Sequence, residues 1–269
     1  MRLPFHKYEG TANDFLVIER ADDLDPAVVR ALCDRHRGVG GDGVLLVRPG
    51  PRPRMIVRNA DGSRPEMCGN GVRCVALHLA RTRDDHGPFE ITVDTDAGPR
   101  TCVVERVGDT GEITVDMGVV KVLDTVSVEH EGRPIRLVRA DAGNPHAITF
   151  DPLDDAALDA LGARLQTDPL FPSGVNLERV VDDGDLADTL VFERGVGRTL
   201  ACGTGACAVA AVLVAEQRRS FDRPIKVRLP GGVLRISLER VPSGARVRMR
   251  GPARFVFAGT VELPVGAAS

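Results

Sequence analysis

Lysine is scarce in this chain. Of its 35 basic residues only Lys7, Lys121 and Lys226 are lysines, and the arginines are scattered along the sequence without a basic run. With a formal net charge of −3, nothing calls for a nucleic-acid or membrane-surface partner. Long apolar runs are missing as well. The opening Met1-Arg2-Leu3-Pro4-Phe5-His6-Lys7 lacks the core of a signal peptide, and no stretch could span a bilayer, so a cytoplasmic protein is expected. No Cys-x-x-Cys spacing occurs among the 6 cysteines, and no histidines pair at metal-ligand distance. Free thiols are expected rather than disulfides, and no metal site.

What is present is a repeated motif. Cys68-Gly69-Asn70-Gly71 runs into the apolar stretch Val72–Ala80, and Cys202-Gly203-Thr204-Gly205 runs into the apolar stretch Ala206–Ala215. The two cysteines are 202 − 68 = 134 residues apart in a chain of 269. Their surroundings repeat too. Asn59 precedes the first cysteine by 68 − 59 = 9 residues, and Glu193 precedes the second by 202 − 193 = 9. A polar turn leads into an apolar segment at Gly10–Ile18 and again at Gly143–Phe150. A glycine turn follows each motif, at Ala97-Gly98-Pro99 and Pro230-Gly231-Gly232. An internal duplication is the economical reading, with residues 1–118 as one half, joined by a last strand over about 259–269, and 119–258 as the other.

The segments after the cysteines are apolar on nearly every side, so each predicts a helix buried all round. The expected fold is α/β of the α+β type: two pseudo-symmetric domains, each wrapping its strands around its own central helix. Elsewhere Asp25 and Pro26 predict a helix start, with Val28, Val29, Leu32 and Cys33 on its buried face. A second surface helix is expected around Leu158, Leu161 and Leu165. The run Gly38–Gly43, GVGGDG, matches a dinucleotide fingerprint in letters only. It precedes a strand, where that fingerprint must follow one.

A thiol at a helix N-terminus faces unpaired backbone N–H groups and the positive end of the macrodipole. That dipole contributes up to about 2 kcal/mol, roughly one to one-and-a-half pKa units. A pair of such thiols, one ionised and one not, suits proton exchange at the α-carbon of an amino acid: a base removes the proton from one face and an acid delivers another to the opposite face. Two helix N-termini would stabilise the charge that develops on the carboxylate. Cys74, Cys207 and Cys102 sit within apolar helix or strand and read as core.

At these residues the sequence resembles the diaminopimelate epimerases. The resemblance is carried by Asn13-Asp14-Phe15, Asn59-Ala60-Asp61-Gly62-Ser63, Glu66–Gly71, Gly143-Asn144-Pro145-His146, Val175-Asn176, Glu193-Arg194-Gly195 and Ala201–Gly205. It implies a mixed sheet around the central helix of each domain, with the active site in the cleft between the two domains. It also implies a homodimeric isomerase without cofactor, acting on LL-diaminopimelate in lysine and peptidoglycan synthesis, with Cys68 and Cys202 as the acid/base pair. Gly69, Asn70, Gly203 and Thr204 would then offer backbone N–H groups to the reacting carboxylate. Asn13, Asn59, Asn144, Asn176, Glu193 and Arg194 would hold the remaining ammonium and carboxylate groups. His146 stands outside the acid/base pair, as a supporting residue. Neighbouring strand residues face opposite ways, so Glu193 and Arg194 can serve one site only if the strand ends or bulges there, as Gly195 allows.

Three departures from the family pattern leave room for another substrate. Thr11-Ala12 replaces a common Leu-Gly, Gly43 stands where some members have glutamine, and Gly197-Arg198-Thr199 replaces Gly-Glu-Thr. A two-thiol racemase of another amino or imino acid is the first alternative, and a redox-switched amino-acid-binding protein the second.

Overall fold

The computed structural model describes residues 2–83 and 88–262. The chain divides into two compact units, Met1–Val115 with Gly251–Ser269, and Asp116–Arg250. In the first, β1 (Arg2–Gly10) and β2 (Asn13–Glu19) form a hairpin, α1 (Pro26–Cys33) follows, and β3 (Gly43–Arg48) and β4 (Arg54–Asn59) lead to α2 (Gly69–Arg81). Strands β5 (Phe89–Thr95), β6 (Gly98–Val104) and the start of β7 (Thr110–His130) complete the run. The second unit takes the rest of β7, then β8 (Arg133–Asp141), β9 (Pro145–Thr149), α3 (Asp155–Leu165), β10 (Asn176–Asp182), β11 (Leu186–Glu193) and the short β12 (Gly197–Thr199). Helix α4 (Gly203–Ala215), β13 (Ile225–Leu229), β14 (Gly232–Val241) and the first part of β15 (Gly244–Glu262) close it, and β15 then pairs with β1 in the first unit.

The duplication is visible in the pairing. From β1 through β7 successive neighbours are antiparallel, parallel, antiparallel, parallel, antiparallel and antiparallel. The series β8, β9, β10, β11, β13, β14, β15 repeats those senses in the same order. Strand β12 is an extra hairpin arm on β11.

Each unit encloses its own apolar helix. Every residue of α2 from Gly69 to Ala80 is buried, and α4 is buried from Gly205 to Leu213. Helix α2 packs on β1 through β6, and α4 on β8 to β11, β13 and β14. A fully buried valine or leucine is worth about 1.5–3 kcal/mol, so Val209, Val212 and Leu213 together outweigh what α4 gains from its cap. Helices α1 and α3 cover the other faces of their sheets and bury the predicted residues, Val28, Val29, Leu32 and Cys33 in one case and Leu158, Leu161 and Leu165 in the other. Asp25 caps α1 by accepting from the Ala27 N–H at 2.7 Å, as its sequence position predicts.

Two expectations need adjustment. The chain passes between units at 115/116 and 250/251, where the sequence suggested 118/119 and 258/259. Both crossings fall inside long strands, β7 and β15, where no turn or change of composition marks them. The expected last strand is described only as far as Glu262, and 263–269 lie outside the described residues. A few of the arginines, scattered in sequence, are also gathered in space. Strand alternation places Lys226, Arg228, Arg235, Arg246 and Arg248 on one exposed face of β13, β14 and β15. No helix among the described residues is long and apolar enough to cross a membrane.

Candidate active site

The two cysteines occupy equivalent places. Cys68 is the N-cap of α2 with φ −134° and ψ 114°, and Cys202 is the N-cap of α4 with φ −125° and ψ 110°. Each sulfur accepts the N–H of the glycine three residues on, Gly71 or Gly205, at 3.4 Å. Sulfur thus performs the capping that serine or aspartate usually performs.

In the first unit the structure brings Asn13 and Asn70 together beside the Cys68 cap. Asn70 Nδ2 donates to Asn13 Oδ1 at 3.3 Å, and Asn13 Nδ2 donates to Asp42 Oδ2 at 2.7 Å. Asn13 follows a two-residue hairpin turn formed by Thr11 (φ 54°) and Ala12 (φ 60°). That left-handed backbone normally calls for glycine or asparagine. The buried Thr11 hydroxyl receives the Arg73 guanidinium at 3.0 Å, which pins the turn against α2. Asn59 ends β4 opposite Gly43, and its amide donates to Ser63 Oγ at 2.9 Å, closing the 59–63 turn. A side chain at 43 would require the backbone to shift, since a Cβ there would stand 2.5 Å from the Arg58 carbonyl oxygen.

In the second unit the predicted residues are held in separate small groups. Strand β11 stops at Glu193 and Arg194 begins the turn, with Gly195 at φ 74°. The strand therefore ends where the sequence required, and the two neighbouring side chains are freed from strand alternation. Asn176 Oδ1 accepts the Arg194 N–H at 3.0 Å while its Nδ2 donates to the Pro145 carbonyl at 2.8 Å. Glu193 accepts from the Thr199 hydroxyl, and Thr204 Oγ1 lies 3.5 Å from the Cys202 sulfur. Asn144 Oδ1 meets His146 Nε2 at 2.9 Å, and His146 Nδ1 meets Glu178 Oε1 at 2.7 Å.

Burial pushes the Cys202 thiol well above its ordinary pKa, and the nearby Glu193 carboxylate pushes the same way. Hydrogen bonds from Thr204 and the Gly205 N–H oppose them without prevailing. The helix terminus alone suggested a depressed thiol. Desolvation in this pocket outweighs it, so Cys202 rests protonated at neutral pH. Cys33 is raised to about 11 and Cys102 to about 12, both chiefly by burial, as suits core thiols.

Sequence reasoning missed Glu178 and Asp42. Glu178 lies within β10, whose alternation turns it to the buried side with Asn176, so an acid in a strand was the available signal. Asp42 belongs to the GVGGDG run, rightly refused as a nucleotide motif but read no further. Among the described residues no group of three or more histidine, cysteine, aspartate or glutamate side chains is arranged to hold a metal ion.

The family model described as diaminopimelate epimerase matches residues 5–123 and again 138–256, one copy for each repeat. A diaminopimelate epimerase from Microcystis aeruginosa is 38% identical over 284 residues, covering 96% of this chain and 99% of that protein. One from Desulforudis audaxviator is 39% identical over 280 residues, covering 96% and 98%. The chloroplastic diaminopimelate epimerase of Oryza sativa subsp. japonica is 36% identical over 289 residues, covering 96% of this chain and 80% of its own. Among solved structures, a hydroxyproline epimerase from Agrobacterium vitis superposes with a TM-score of 0.70 at 17% identity, covering 99% of this chain and 94% of that one. At that identity the likeness concerns the fold. The match over both repeats, together with relatives similar along nearly the whole chain, places the sequence in one family: the chain belongs to the diaminopimelate epimerases.

Proposed function

We propose that the chain interconverts LL-2,6-diaminopimelate and the meso form without a cofactor, with Cys68 and Cys202 as the two acid/base groups. The observation that carries this reading is the matched capping geometry of the two thiols, one at the head of each buried helix. In a two-base inversion one thiol must be ionised and the other protonated before each turnover. Cys202 is the group held protonated, so it is the acid in the direction for which Cys68 is the base. Once it has given up its proton, the desolvated Cys202 thiolate is a strong base for the return. Each complete inversion leaves the roles reversed, Cys68 protonated and Cys202 ionised, ready for the opposite substrate.

In this scheme the backbone N–H groups of Gly69, Asn70, Gly203 and Thr204 receive the carboxylate at the reacting carbon, where negative charge grows as the α-proton leaves. Arg194 suits the distal carboxylate and Glu193 an ammonium. Asn13, Asn59, Asn144 and Asn176 complete the hydrogen-bonding set. The same proposal includes a homodimer in the cytoplasm, where the thiols stay reduced; sedimentation of the purified protein checks the assembly.

The test is proton NMR in deuterated water with LL-diaminopimelate and a panel of simple amino and imino acids. Loss of the α-proton signal together with appearance of the meso form is expected. Exchange with proline but not diaminopimelate would move the assignment to another substrate of the same chemistry. Binding with no exchange at any Cα would leave a binding protein.

A further inference from the structure

His146 and Glu178 form a completely buried pair, each side chain 0% exposed, and Glu178 Oε2 has no hydrogen-bond partner among the described residues. Three placements of the protons are conceivable, and the neighbours discriminate between them. A carboxylate accepting from an Nδ1–H imidazole leaves Oε2 of a buried anion unsolvated, and its bare Nε2, 2.9 Å from the Asn144 amide, then needs the amide nitrogen rather than the oxygen turned toward it. An imidazolium with a carboxylate satisfies both contacts, but it leaves one oxygen of a buried anion unsolvated. Such a charge costs several kcal/mol when it is incompletely hydrogen-bonded. The third placement puts a proton on Glu178 Oε1, which donates to Nδ1, and a proton on Nε2, which donates to Asn144. Every close contact then joins a donor to an acceptor, and Oε2 is only a carbonyl-type oxygen. Burial favours the same arrangement: desolvation is the largest influence and raises the Glu178 pKa, His146 opposes it by charge and by hydrogen bond, and the Glu193 carboxylate adds a smaller push upward.

We propose that Glu178 is a positioning residue: as a neutral carboxylic acid it fixes the proton of His146 on Nε2, which draws the Asn144 carbonyl inward and leaves the Asn144 N–H groups to receive a substrate carboxylate. This rests on the reading of the chain as an amino-acid epimerase and names the device that sets the polarity of one of its contacts. Asn144 stands just ahead of β9, and its amide can be turned either way. With its oxygen held by Nε2–H, only donors remain for the ligand, which selects a carboxylate and rejects an ammonium. The strand geometry supports the arrangement. Asn176 pairs with His146 across β10 and β9, and Glu178 lies two residues on, on the same side. Gly205 makes room for it, since a Cβ there would stand 2.6 Å from Glu178 Oε1.

The test is nitrogen-15 NMR of the imidazole of His146 in the whole protein at neutral pH, with the signal assigned through His146→Gln. One protonated nitrogen, Nε2, and one unprotonated Nδ1 accepting a hydrogen bond are expected. Two protonated nitrogens, or a proton on Nδ1 alone, would overturn the proposal. Glu178→Gln keeps a donor for Nδ1 and is expected to keep that spectrum. Glu178→Val removes the donor and is expected to raise KM for diaminopimelate about tenfold, the scale of one hydrogen bond to a charged group, with a smaller change in kcat. A loss in E178V that falls on kcat with KM intact, or one that E178Q does not restore, also overturns it. Should E178V fail to fold, the spectra of the native protein and E178Q still decide. If neither cysteine proves to exchange an α-proton, the epimerase reading fails, while the imidazole spectrum answers separately.

Discussion

Asp42 fixes the orientation of Asn13. Its carboxylate can only accept, so the 2.7 Å contact makes Asn13 Nδ2 the inward atom and leaves Oδ1 for Asn70. Asp42 is held in turn by Arg35, whose guanidinium bonds Asp42 at 2.8 Å and Asp14 at 2.6 Å. Replacing Asp42 with asparagine lets both amides turn over. D42N is expected to raise KM three- to tenfold, with kcat less affected, and to cost about 1 kcal/mol of stability for the hydrogen bonds lost. Steady-state epimerisation and urea titration check the two effects.

The protonated state of Cys202 is open to chemical test. Only a thiolate alkylates, so in a Cys68→Ala background its modification by iodoacetamide should stay slow at neutral pH and accelerate in alkaline solution. Glu193 raises the Cys202 pKa by like charge, second to burial. Glu193→Gln therefore lowers that pKa, and the rise in alkylation rate should move to lower pH. Mass spectrometry of the Cys202 peptide follows the reaction. A shift to higher pH in E193Q would contradict the assignment of that carboxylate as a source of the raised pKa.

The repeated glycines are not equivalent. A Cβ on Gly71 would meet the flexible end of Leu45 at 2.9 Å, whereas one on Gly205 meets Glu178 Oε1 at 2.6 Å and the Cys202 sulfur at 3.3 Å. Alanine in a helix gains roughly 0.5–1 kcal/mol over glycine, enough to balance a small shift of Leu45. It does not balance displacement of a buried carboxyl, for which overpacking costs of about 1–3 kcal/mol apply. Gly71→Ala should unfold at nearly the native urea midpoint and Gly205→Ala well below it.

Why the sequence disclosed some of this and not the rest follows from where each signal lies. The caps Asp25, Cys68 and Cys202 are local, so a few letters suffice, and the unbroken apolar faces of α2 and α4 demand enclosure whatever surrounds them. Duplication doubled each of these signals. Long strands hide more. Gly118, with φ 87°, reads as a boundary yet lies within the 21 residues of β7. The partnership of Glu178 with His146 joins residues 178 − 146 = 32 apart across neighbouring parallel strands. Only strand register reveals it. The same register gathers Lys226, Arg235 and Arg248 on one face, although nothing in the linear sequence clusters them.

Acid stability is set in part by Asp14. Burial alone would raise its pKa, but hydrogen bonds from Arg35 and Lys7 outweigh it and bring the carboxyl from 3.8 to about 2. A carboxyl whose folded pKa lies below its unfolded value binds its proton more readily when the chain unfolds. Its contribution is therefore present above about pH 4 and disappears as the pH falls toward 2. The Lys7 ammonium, only 8% exposed and 2.6 Å from Asp14, ties the effect to the first hairpin. Protonating Asp14 leaves that ammonium without its anion, so the β1–β2 corner that carries Asn13 should loosen first. Urea midpoints measured between pH 5 and pH 2 are expected to fall steeply in the native protein. Asp14→Asn should begin lower and show a shallower fall across the same window, because the carboxyl that titrates there is gone. Equal slopes for the two proteins would assign the acid transition to other carboxyls.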